Sequence, residues 1–113
     1  MEKFIYLFRG GNDLEGKSSQ ELQEQTQRWT DWMQSLIQKG IMLAGDPLHP
    51  EGKLVKAKKV VTDGPYTEAK ELVGGYIIVN AKDINEAVEI SMGCPIFNSG
   101  GTLEVRQIQK RDL

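Results

Sequence analysis

The side chains of this sequence that could do chemistry are few, and most stand near its middle. The sole histidine, His49, lies in Asp46-Pro47-Leu48-His49-Pro50, a loop bracketed by prolines. Its ordinary pKa lies near neutrality, so it is either the natural proton carrier or an idle surface residue. Asp63 and Glu68 belong to the run Asp63-Gly64-Pro65-Tyr66-Thr67-Glu68-Ala69-Lys70-Glu71. Either acid serves as a general base where burial raises its pKa, with Tyr66 and Lys70 beside them to hold a ligand. The same Asp-Gly-Pro also has the chemistry of a tight turn: a side-chain acceptor, a residue tolerant of positive φ, and a fixed φ. Arg106 alternates with Leu103 and Val105, which suits it to grip a carboxylate with its two-pronged guanidinium or to pair with Glu104. Tyr6 brings an apolar body and a hydroxyl that reaches a partner at a cleft. Cys94 has no adjoining cation to lower its pKa and reads as buried and inert.

These residues need a scaffold, and the hydrophobic pattern supplies one. Lys3–Phe8 reads as a strand with Phe4, Tyr6 and Phe8 on one face and Ile5 and Leu7 on the other. Ser18 and Glu21 have capping-box spacing, and Leu22, Trp29, Met33 and Leu36 draw one stripe along a helix from Ser19 to Lys39, stopped by Gly40. Ile41–Ala44 is a short strand closed by Gly45-Asp46-Pro47. Lys53–Val61 is a lysine-rich strand of the kind that guards a sheet edge. A turn at Thr62–Pro65 and a short helical turn within Tyr66–Leu72 lead to a strand over Gly74–Asn80. Asp83 and Glu86 cap a second helix carrying Ile84, Ala87, Val88 and Met92, and Thr102–Gln109 is the last strand.

The order is β-α-β-β-α-β with an insertion, a ferredoxin-like α+β fold in which both helices cover one face of an antiparallel sheet. The first and third core strands are apolar on both faces, yet helices cover only one. A homodimer with its open sheet faces packed together resolves that conflict.

A chain of 113 residues is expected to form one domain over 1–113. The net charge of -2 gives no pull toward nucleic acid or anionic membranes, and no apolar run is long enough to span a bilayer. One Cys and one His cannot close a zinc site within the chain. The lone thiol excludes an internal disulfide and fits a reducing compartment, the cytoplasm. No cofactor is implied.

The run Asp63–Glu71, with Gly74-Gly75-Tyr76 and Glu104-Val105-Arg106, resembles the DGPF branch of the YCII-related proteins over nearly the whole chain. Tyr66 stands where the branch name has Phe. The resemblance implies a dimeric α+β barrel with a cleft between sheet and helices. In the broader group the proposed site is a His near the start of the first helix and an Asp before a Pro after the second. Here the first helix has no His, and Cys94 precedes Pro95. The expected function is therefore binding of a small cyclic or carboxylate-bearing ligand in the cleft, with or without catalysis; the alternative is a noncatalytic dimeric sensory or interaction module.

Overall fold

The structure, a computed structural model, describes residues 1–11, 16–64 and 72–111, with 60–64 described by their backbone. Strict alternation builds its sheet. In β1 (Glu2–Arg9) Phe4, Tyr6 and Phe8 are buried, and in β5 (Val73–Ala81) Gly75, Ile77, Val79 and Ala81 are buried. The two strands run antiparallel with Phe4 opposite Val79 and Tyr6 opposite Ile77, so their buried residues share one face. β6 (Thr102–Gln107) flanks β1, and β2 (Met42–Pro47) flanks β5, giving the order β2-β5-β1-β6 with all neighbours antiparallel.

Two capped helices close the buried face. The Ser18 hydroxyl accepts from the Glu21 amide (3.1 Å) at the start of α1 (Ser19–Gln38), and Gly40, at φ +73°, ends the helical path. At α2 (Ile84–Ser91) the Asp83 carboxylate accepts from the Glu86 amide (2.9 Å), and the Glu86 carboxylate accepts from the Lys82 amide (3.0 Å). A short 3-10 helix, Pro95–Ser99, leads into β6. The core gathers Phe4, Tyr6, Phe8, Val79, Ala87 and Ile96 between the layers, with Trp29, Trp32 and Met33 packed against it. This is the ferredoxin-like α+β arrangement expected from the element order.

The insertion differs from expectation. Residues read as one strand and a following turn form a hairpin instead, β3 (Gly52–Lys56) and β4 (Lys59–Gly64), a separate two-stranded sheet. Its two-residue turn is Ala57-Lys58, with both residues at positive φ, and so lacks the Gly or Asn that would have marked it in the sequence. Thr62, Asp63 and Gly64 continue β4 rather than turning. β2 likewise runs through Gly45-Asp46-Pro47, after an irregularity at Leu43.

The helix-free side of the sheet carries Ile5, Leu7, Tyr76 and Ile78, all half-buried. At one border Arg9 pairs with Glu104 at 2.6 Å, and at the other the Tyr76 hydroxyl donates to Asp46 Oδ2 at 3.1 Å.

Candidate functional site

Between α1 and the β2–β5–β1 part of the sheet lies a cavity of about 580 Å³, within the range typical of small-molecule sites. Helix α1 provides one wall through Gln25, Trp29 and Met33, spaced four apart so that they stack on one side of the helix. Phe8 and Ile77 rise from the sheet, and Ile96 closes the end near the 3-10 helix. Trp29 is fixed by edge-on contacts with Phe8 (centroids 5.2 Å apart, planes at 86°) and Trp32 (5.9 Å, 82°), so it borders the cavity in a defined orientation.

Glycines border the cavity on the sheet side, at Gly45, Gly74 and Gly75. β2 and β5 also approach closely there: a Cβ on Gly45 would stand 2.8 Å from the Tyr76 carbonyl oxygen and 2.9 Å from Ile77 Cγ1, and one on Gly75 3.1 Å from the Asp46 carbonyl oxygen. Gly10 and Gly11, at φ +69° and +71°, turn the chain away from β1 along the cavity's border.

The polar groups are sparse. Gln25 donates to the Ser99 hydroxyl (3.3 Å), and the Thr26 hydroxyl donates to the Leu22 carbonyl (3.0 Å). Asp46 and Tyr76 border the cavity, but register carries their side chains to the other side of the sheet. The Asp46 carboxylate holds the Tyr76 phenol above its ordinary pKa, first through the hydrogen bond and then through its charge. No Lys, Arg or His is among the described residues bordering the cavity. Among the described residues no three His, Cys, Asp or Glu side chains gather as a metal site, and no helix is long and apolar enough to cross a membrane.

The residues singled out from sequence are scattered by the fold. His49 is exposed two residues beyond Pro47, in a segment pinned where the Leu48 amide donates to the Gly74 carbonyl (2.9 Å). Asp63 lies in β4 opposite Lys53, beside the Gly52–Gly64 pair at the hairpin's root. Tyr66, Glu68 and Lys70 lie outside the described residues. Tyr6 is wholly buried, donates its hydroxyl to the Ala87 carbonyl and does not border the cavity. Arg106 is on the helix-free side of β6, 69% exposed, with its Nε 3.9 Å from Glu104. Cys94 is buried as a free thiol. Trp29, Met33 and the strand glycines, which border the cavity, were legible in the sequence only as packing, turns or close strand approach. The adjacent Gly74-Gly75 in an otherwise strand-forming run was the available signal.

The fold and site together define an α+β protein with a ligand-sized cleft between its sheet and first helix. The chain belongs to the YCII-related domain family, whose model matches residues 6–111. No curated protein matches the sequence. Among solved structures it is similar to 5-chloro-2-hydroxyhydroquinone dehydrochlorinase (TftG) from Burkholderia phenoliruptrix AC1100, in complex with 2,5-dihydroxybenzoquinone. The TM-score is 0.55 at 18% identity, over 96% of this chain and 94% of that one.

Proposed function

We propose that this protein binds a small, uncharged cyclic compound in the cleft between α1 and the sheet and acts on it chemically. The observation that carries the reading is the cavity's character: aromatic and aliphatic walls, with no cationic side chain among its described residues. The described lining rewards burial of a planar ring and itself offers a carboxylate no counter-charge. The structural relative's six-membered ring ligand, at matching fold, supports the same class. In this reading His49, Asp63 and Glu68 supply proton transfer from the segments flanking β2 and β5, while Tyr66 and Lys70 hold the ring's polar substituents. Tyr6 and Arg106 take no part, because the first is spent on Ala87 and the second faces away from the helices.

The protein further acts as a homodimer, with the half-buried Ile5, Leu7 and Ile78 of two sheets meeting face to face. Its buried free thiol suits a reducing compartment such as the cytoplasm.

Calorimetric titration with hydroquinone, catechol and benzoate tests the ligand class. The two phenols should bind more tightly than benzoate, and Trp29→Ala should weaken hydroquinone binding by at least about tenfold, as loss of an aromatic anchor does. Preference for benzoate, or hydroquinone binding indifferent to Trp29, overturns the reading.

A further inference from the structure

Ser99 ends the 3-10 helix and does not itself border the cavity. Its hydroxyl oxygen lies 3.2 Å from the Ile96 carbonyl oxygen, and two oxygens so placed need a proton between them. The carbonyl has none, so Ser99 donates, and its single proton is spent there. In its contact with Gln25 on α1, 3.3 Å away, Ser99 must therefore accept, which turns the Gln25 Nε2 toward it. The arrangement is held from behind. The Gly101 amide donates to the same Ile96 carbonyl (3.0 Å), and the Ser99 hydroxyl packs so close to Gly11 that a Cβ there would stand 2.9 Å from it.

Fixing one end of an amide fixes the other. Gln25 borders the cavity half-buried, and its Oε1, an acceptor with two lone pairs, has no partner among the described residues. Thr26 beside it has likewise spent its proton, on the Leu22 carbonyl, and has lone pairs left to offer. Gln25 stands one turn before Trp29 on the same side of the helix, about 6 Å along the axis. That span suits a ring lying against Trp29 with one substituent reaching the amide.

We propose that Gln25 Oε1 is the acceptor that selects rings bearing a proton donor, an O–H or N–H, over rings whose substituents only accept. Ser99 is the positioning residue that keeps the amide in that sense. An ether oxygen or a halogen at the same place meets a second acceptor and leaves the amide oxygen stripped of water without a partner. This role rests on the cleft being the binding site, as proposed above, and adds the recognising atom.

Calorimetric titration with hydroquinone and with para-difluorobenzene, a similar ring that has no proton to give, tests it. Gln25→Met keeps the length of the side chain and removes the amide. It should weaken hydroquinone binding about tenfold, as when a buried hydroxyl loses its partner, and leave para-difluorobenzene within about twofold. Ser99→Ala, outside the lining, frees the amide to turn its NH2 inward and should lower the ratio of the two affinities by at least about threefold. A ratio unchanged in Gln25→Met, or a loss shared equally by the two ligands, overturns the acceptor role; a ratio unchanged in Ser99→Ala overturns the positioning role. In either case the cleft reading stands if Trp29→Ala still weakens both ligands. If neither ligand binds in a Trp29-dependent way, the cleft reading falls and the role of Gln25 falls with it.

Discussion

Tyr6 and Cys94 lie in the same buried cluster, and both are acids that are neutral when protonated. Burial pushes the Cys94 thiol from an ordinary 9.0 up to about 11, against a smaller opposing effect of a hydrogen bond with the Ile96 backbone. It holds the Tyr6 phenol higher still, with the nearby thiolate adding to the effect. The folded chain thus keeps protons that the unfolded chain has released. Stability from this source is complete below pH 9 and declines as pH rises toward 11, then further as the phenol of the unfolded chain ionises. Thermal denaturation from pH 8 to 11 should show the midpoint falling, and Cys94→Ala should make the fall shallower; an unchanged slope would reject the assignment. At this scale the cavity was the least legible feature of the sequence. A core-facing Trp or Met has the same periodic signature whether it meets a side chain or a void, so Trp29 and Met33 read as packing. The apolar alternation around Tyr6 did show that its ring is core, but nothing local showed that Ala87 takes its hydroxyl.

Both helix starts were readable, because each depends on a cap and an acid three residues later, and the structure has the corresponding bonds at Ser18 and Asp83. The hairpin was not, because its turn is built from residues that usually avoid it. Placing Ala57 and Lys58 in the left-handed region costs roughly 1–2 kcal/mol per residue relative to a turn of Gly or Asn. Replacing the pair with Asn-Gly should therefore steady the hairpin, slowing amide exchange at Val55 and Lys59 by about tenfold. Exchange that does not slow would mean the turn is not where the hairpin's instability lies.

For the molecule as a whole, the order β-α-β-β-α-β followed from alternation and periodicity, since each element's buried residues had one place to go. The proposed sheet-face dimer rests on the same alternation. Ile5, Leu7 and Ile78 are half-buried by their neighbours, and further burial requires another surface. Ile78→Asp should convert a dimer into a monomer at micromolar concentration in sedimentation velocity, with its far-ultraviolet circular dichroism retained. A wild-type chain already monomeric there would remove the sheet-face dimer. The two banks of the cleft differ in how freely they can change. On the Gly45–Gly75 side a Cβ on either residue meets a main-chain oxygen first, at 2.8 and 3.1 Å, so enlargement there requires the neighbouring strand to give way. Any retuning toward bulkier or more polar guests must fall on the helical bank, at Gln25, Trp29 and Met33, where a substitution meets an opening instead of another backbone.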